Sequence, residues 1–331
     1  TSTAAKNLRV HFETPWKAGS TMAIRHAFVI GAPIALVAVA IGVVSQKRAH
    51  KDVQISILHE PAPINVPAPP SEDGAFLSLT RISDDEIASQ GFSLSKPLDV
   101  RVYAVGEGTG NQMHDFGWII DAATRQPVWQ MDYRDTQRAG GATKNRMVDE
   151  VVTLDPGNYI AYYMTDGSHS WDDWNSSPPR HENAWGITLL TADGTMNGDI
   201  IGAYDAASDP AVIAQLVAIR DDDSRGAPFS LETETEVRIY ALGEGESGDM
   251  YDYAWIEDAE TGQDLWEMTY RATEHAGGAR KNRVFNGTIV LPAGEYLLRY
   301  EADDSHSLES WNMTPPHDPF AYGVTLLKVS R

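Results

Sequence analysis

Phe92 to Gly108 reads FSLSKPLDVRVYAVGEG, and Phe229 to Gly245 reads FSLETETEVRIYALGEG. In both, an alternating apolar and polar run (Val100-Arg-Val-Tyr-Ala and Val237-Arg-Ile-Tyr-Ala) ends in a glycine-rich turn, the pattern of a half-buried β-strand rather than a helix. Working outward, Phe92 to Leu190 lies over Phe229 to Leu327 at a constant offset of 137 with no gap. Roughly half the positions are identical, an internal repeat of domain size. The likeness begins earlier still, because Leu79 to Leu94 (LTRISDDEIASQGFSL) matches Leu216 to Leu231 (LVAIRDDDSRGAPFSL). Each copy is therefore about 110 residues, the size of one β-sandwich.

Further strands are expected at Gly117 to Asp121, Val128 to Tyr133, Glu150 to Leu154 and Tyr159 to Met164, with a closing strand at Trp185 to Leu190. Their counterparts are Ala254 to Asp258, Leu265 to Tyr270, Gly287 to Leu291, Tyr296 to Glu301 and Tyr322 to Leu327. Breakers such as Asp155-Pro156-Gly157 and Pro292-Ala293-Gly294 separate them, and no long amphipathic helical period intrudes. The fold class that follows is mainly β: a single N-terminal transmembrane helix plus two homologous antiparallel β-sandwich domains in tandem. The expected divisions are a tail (1–21), the membrane helix (22–46), a proline-rich tether (47–74), repeat 1 (75–190), a connector (191–211) and repeat 2 (212–331). The connector is rich in Gly, Asp and Ala, which predicts freedom between the repeats unless a partner fixes it.

The 331 residues contain no cysteine, which excludes a disulfide framework, thiolate metal sites and a cysteine nucleophile. The formal charge of −21 is unevenly placed: residues 1–51 hold seven bases and one acid, and the rest holds 19 bases against 46 acids. So acidic a body repels phosphate backbones, so no nucleic-acid partner is expected.

Ala27 to Val44 (AFVIGAPIALVAVAIGVV) is a run of 18 uncharged residues, and with Met22 to Ile24 it reaches the length of a bilayer-spanning helix. A cleavable signal peptide would share its basic start, but the run ends in VVSQKRAHK with no small-x-small site. Gly31, Ala35 and Gly42 offer close-approach points for packing against other helices in lipid. Lys6, Arg9, Lys17 and Arg25 precede the run and Lys47, Arg48 and Lys51 follow it. A short tail before an uncleaved anchor suggests a cytoplasmic N-terminus and periplasmic β-domains on a single-pass inner-membrane protein. His59 to Gly74 carries five prolines and reads as an extended spacer, whereas residues 1–21 show no periodicity and are expected to be disordered on their own.

Three motifs occur in both copies. The first is GEG followed by Met-x-Asp, with Glu107 and Asp115, then Glu244 and Asp252. It reads as a turn loop, and a divalent cation such as Ca²⁺ is the one cofactor its oxygens would suit. The second is AGGAxKNR, Ala139 to Arg146 and Ala276 to Arg283, a rigid hairpin or bulge whose Lys144, Arg146, Lys281 and Arg283 are expected to pair with the domain's own acids. It does not meet the phosphate-loop spacing. The third joins Asp166, Ser168, His169 and Ser170 to Trp174, Asn175 and Pro178-Pro179, matched by Asp303, Ser305, His306, Ser307, Trp311, Asn312 and Pro315-Pro316.

Asp, Ser and His in one loop suggest a hydrolase, but residues two or three apart rarely converge as a triad, and no Gly-x-Ser-x-Gly elbow is present. The structural alternative has the His bonding to backbone, Asn and Asp closing turns and Trp covering one end of the sandwich. The candidate ligand-binding set is Asp166, His169, Trp174, Asn175, Asp303, His306, Trp311 and Asn312, with no catalytic residue assigned.

A basic tail, one span, a proline-rich tether and twin AGGAxKNR/SHS-WN-PP domains resemble bacterial tandem β-sandwich membrane-anchored proteins. The arrangement also resembles an extrinsic accessory subunit of a bacterial photosynthetic reaction centre and light-harvesting supercomplex. That resemblance implies a non-catalytic scaffold whose partners are integral membrane subunits and the lipid around its one helix. The alternative is an envelope metal- or glycan-binding protein with two equivalent loop sites.

Overall fold

The computed structural model describes residues 8–11, 66–195 and 198–329. The expected span at 22–46, its packing residues Gly31, Ala35 and Gly42, and the tether as far as residue 65 lie outside the described residues. Among the described residues the fold is mainly β with short 3-10 turns, and no helix is long and apolar enough to cross a membrane.

Each repeat stacks two antiparallel sheets. In the first, one sheet runs in the order Ala75–Thr80, Gly186–Thr191, Leu98–Thr109, Asn145–Leu154, Gln137–Arg138. The second repeat answers with Val212–Val217, Gly323–Lys328, Thr235–Glu246, Asn282–Leu291, Glu274–His275, each strand displaced by the same 137 residues. The facing sheet of repeat 1 contains Glu86–Leu94, Gly157–Met164, Phe116–Asp121 and Pro127–Gln130, and that of repeat 2 contains Ser224–Leu231, Gly294–Glu301, Tyr253–Asp258 and Asp264–Glu267. Inward residues of both sheets form the core of repeat 1, with Val100, Val102 and Ala104 meeting Ala88, Phe92, Ile119, Ala161 and Tyr163. Between the inward valines Arg101 points out and forks onto Asp149 across the strand pair, at 2.7 and 2.8 Å.

The same two expected strands change at their ends in each repeat. The segment expected from Val128 to Tyr133 stops at Gln130, where the chain turns into a 3-10 turn over Tyr133–Asp135 capped by Asp132, and its counterpart stops at Glu267 before Tyr270–Ala272 with no side-chain cap. The strand expected from Glu150 begins at Asn145, extended by its ladder to Leu98–Thr109.

The outer edge of Glu86–Leu94 is covered by two short strands, Leu8–His11 from the tail and Ile201–Ala203 from the connector. The tail is therefore not uniformly without structure: Leu8 to His11 pairs with Ser89 to Glu86, and Arg9 lies 3.4 Å from Glu86. This pairing puts residues 8–11 on the same side of any bilayer as the first repeat. The connector is likewise tied down, with Ser95 N–H donating to Ile200 O at 2.9 Å.

The repeats also dock on each other. Ile87, Trp118, Ile120, Ile160, Tyr162 and Met164 share a buried cluster with the core of repeat 2. Asp318, from repeat 2, accepts the Tyr162 hydroxyl at 2.5 Å and pairs with Arg125 at 2.8 Å, while Trp118 Nε1 donates to His317 O at 2.7 Å. The side chains of Arg125 and Asp318 are 9% and 2% exposed, so this ion pair is buried and hydrogen-bonded. The freedom expected between the repeats is thus replaced by a fixed junction.

Candidate functional site

At one end of each sandwich the three repeated motifs meet. Asn145, fully buried, is the hub: its Nδ2 donates to Gly140 O at 2.8 Å and Ser177 O at 3.0 Å, and its Oδ1 accepts from His169 Nε2 at 2.6 Å. Asn282 repeats this with Gly277 O, Thr314 O and His306 Nε2 at 2.7, 3.0 and 2.5 Å. The amide orientation assigns the Nε2 proton to each ring. The second glycine of AGGA, Gly141, sits at φ 62°, and a Cβ there would lie 1.8 Å from Pro178 O. Only glycine allows the hairpin to press on the Pro-Pro segment in this way.

His169 and His306 are buried, and burial lowers their pKa to about 4 and about 3, with the nearby Lys144 and Lys281 charges adding to the effect. Trp174 packs edge-on against His169 and Trp185, at 5.0 and 4.9 Å, and Trp311 does the same with His306 and Tyr322, at 5.0 Å each. Asn175 Oδ1 accepts from Lys144 at 2.7 Å, and Asn312 lies 3.0 Å from His306 Nδ1 through its side-chain amide. Ser168 Oγ donates to Asp166 Oδ1 at 3.2 Å, and no hydrogen bond joins it to the imidazole.

Asp166 turns instead toward the first motif. Gly106 allows this: a Cβ there would lie 2.0 Å from Asp115 O, so only glycine lets strand Leu98–Thr109 close on the turn carrying Asp115. The same holds at Gly243, 2.1 Å from Asp252 O. Glu107, Asp115 and Asp166 then hold ligand-capable oxygens within 4.8 Å of one another, as do Glu244, Asp252 and Asp303. Asp115 Oδ1 accepts the Asp166 N–H and Asp252 Oδ1 the Asp303 N–H, both at 2.8 Å. Lys144 reaches Glu107 Oε1 at 3.1 Å, and Lys281 reaches Glu244 Oε1 at 2.9 Å. Burial, with the Asp166 charge next, pushes the Asp115 carboxyl well above the usual carboxylate range. Burial raises Asp252 to about 8, against the lowering effect of the Tyr322 hydroxyl bond, and raises Glu107 and Glu244.

The lysines of AGGAxKNR pair with acids as expected, but the arginines do not. Arg146 bonds Thr136 Oγ1 and O and stacks over Tyr133 at 4.6 Å, and Arg283 does the same with Thr273 and Tyr270, at 4.4 Å. Sequence reasoning placed Glu107 and Asp115 in one motif and Asp166 in another, and it did not single out Asn145 or Asn282. A shallow cleft of about 230 Å³ also opens at the junction of the repeats, beside Arg125, Tyr240, His275 and His317.

No protein-family model and no curated protein sequence matches this chain. Among solved structures it is similar to the CUB1-EGF-CUB2 domains of rat MASP-1, at 8% identity over 74% of this chain and 92% of that one, with a TM-score of 0.22. It is also similar to vicilin from Corylus avellana (hazelnut), at 8% identity over 74% and 75% of the two chains, with a TM-score of 0.14. Scores this low carry no argument. The description that stands is a tandem antiparallel β-sandwich protein with twin loop clusters.

Proposed function

We propose that the chain is a non-catalytic, membrane-anchored extrinsic subunit. In this reading the apolar segment 22–46 enters the bilayer beside integral membrane partners and leaves Leu8–His11 and the repeats on one side of it, and the two repeats bridge or clamp neighbouring subunits. The observation that carries it is the buried Arg125–Asp318–Tyr162 junction, which holds the two sandwiches at one spacing. A clamp needs that fixed spacing, whereas independent ligand-binding modules do not. The serines of each loop bond aspartates and the imidazoles bond asparagines, so no serine–histidine pair of a hydrolase triad is present among the described residues.

Purification of the tagged protein in mild detergent, followed by mass spectrometry and an absorption spectrum, tests this reading. Recovery within a large assembly supports the scaffold, and bacteriochlorophyll absorption in that assembly supports its photosynthetic form, which rests on the sequence resemblance alone. Emergence as a lone monomer overturns the scaffold. It favours the alternative of an envelope binding protein, for which the paired acid clusters speak and the edge-packed Trp174 and Trp311 do not.

A further inference from the structure

We infer that each repeat holds a divalent cation of the hard, oxygen-coordinated kind, best matched by Ca²⁺, through Glu107, Asp115 and Asp166 in the first and Glu244, Asp252 and Asp303 in the second. The inference needs no membrane partner and is independent of the scaffold reading. Convergence of three carboxylates on one point is its first support. The second is a set of buried oxygens that the protein leaves unbonded: Glu107 Oε2, Asp115 Oδ2 and Glu244 Oε2 have no hydrogen-bond partner, in residues that are 6%, 0% and 5% exposed. A buried carboxylate oxygen without a donor is costly, and the cost is removed when the oxygen binds a cation.

Charge points the same way. In each repeat three carboxyl groups face one ammonium, Lys144 or Lys281, so acidic groups outnumber the basic one where a cation would sit. Asp84 adds its charge beside Asp115, and Asp221 adds its own beside Glu244. The donors are all oxygen. Neither cluster includes an imidazole, and the chain has no thiolate, so the set suits Ca²⁺ rather than Zn²⁺. Asp166 is only partly buried, which gives the ion an approach from solvent.

The two sites are not equal. Tyr322 donates its hydroxyl to Asp252 Oδ2 at 2.6 Å, whereas its counterpart Trp185 leaves Asp115 Oδ2 unpaired. An oxygen already bonded has less to gain, so the first site is the tighter one.

The test is calorimetric titration of CaCl₂ into the full chain in detergent after chelator treatment, with Tb³⁺ luminescence sensitised by the nearby tyrosines and tryptophans as a second readout. The expected result is two ions per chain with unequal affinities, Glu107→Gln reducing the count to one and Glu107→Gln/Glu244→Gln reducing it to none. Asp166→Asn and Asp303→Asn, at the more open positions, replace any glutamine variant that does not fold by circular dichroism, and each is expected to weaken its own site at least tenfold. A folded wild-type chain giving neither calcium heat nor terbium luminescence overturns the inference. So does calcium binding that the folded double variant retains.

Discussion

The buried asparagines hold each loop end together. Asn145→Ala removes three hydrogen bonds at once and leaves the His169 Nε2–H and the Gly140 carbonyl without partners, while Ser177 O keeps the Ala142 N–H. Because each unsatisfied buried group costs about 1–3 kcal/mol, the variant is expected to lose about 3 kcal/mol or more in chemical denaturation. A loss under about 0.5 kcal/mol, the size of an ordinary surface change, would show that the hub carries no weight. The rings themselves are open to NMR titration, in which His169 and His306 are expected to stay neutral at pH 5 and to charge near pH 4 and 3. Midpoints near the ordinary histidine value would contradict the buried geometry. The folded values lie below the unfolded value, so below pH 6.5 the unfolded chain binds the extra protons. The stability these rings contribute is full above that pH and is lost as pH falls toward 4 and 3. Asp252, raised to about 8, has the opposite sign: its contribution is full below the ordinary carboxylate value and fades as pH rises through 8.

The strands and turns show why particular glycines recur in both copies. Gly106→Ala would drive a methyl to 2.0 Å from Asp115 O, a backbone atom that the strand pairing holds in place. It is expected to cost about 3 kcal/mol or more, or to prevent folding. Gly110→Ala, two turns of the strand pleat away and at φ 59° with nothing within 4 Å, bears only the backbone cost of about 1 kcal/mol. Equal denaturation midpoints for the two variants would show that Gly106 is not a packing requirement. The strands themselves were legible from period-2 alternation and turn residues, since both signals are local. The convergence of Glu107, Asp115 and Asp166 was not. It needs the turn after Leu98–Thr109 and the loop after Gly157–Met164 to meet across two sheets, and no local spacing encodes that.

For the whole molecule, the ion pair at the junction and the tail strand decide how the parts move. Asp318→Ala strands Arg125 in a buried site, a change expected to cost about 3–5 kcal/mol. The cost falls on the junction, so calorimetry should resolve the unfolding of the two repeats as separate transitions; one unchanged transition would mean that the repeats do not depend on the pair. The absence of cysteine allows a clean labelling test of sidedness, with single cysteines at Thr3 and at exposed Ser176. Pairing of Leu8–His11 with Glu86–Ser89 predicts that an impermeant maleimide reaches both from one face of the membrane. Labelling from opposite faces would instead establish a single crossing between them and release of that strand on insertion.

That the protein is built twice from antiparallel strands follows from its residues alone, because alternation, turn residues and a gapless offset are written locally and need no partner to be read. How the copies differ emerges from their packing. Strand Gly157–Met164 (GNYIAYYM) is buried on both faces, whereas Gly294–Glu301 (GEYLLRYE) keeps Arg299 beside Glu257 on its outer side at 3.4 Å. The contrast between Tyr162 and Arg299, and between Ile120 and Glu257, is visible in the sequence. Its meaning, that the outer sheet of repeat 1 is covered and that of repeat 2 is wet, depends on Arg125 and Asp318 meeting across 193 residues of chain. Burial of a second sheet face is a property of what packs against it, and that partner is fixed by the three-dimensional arrangement rather than by the strand's own residues.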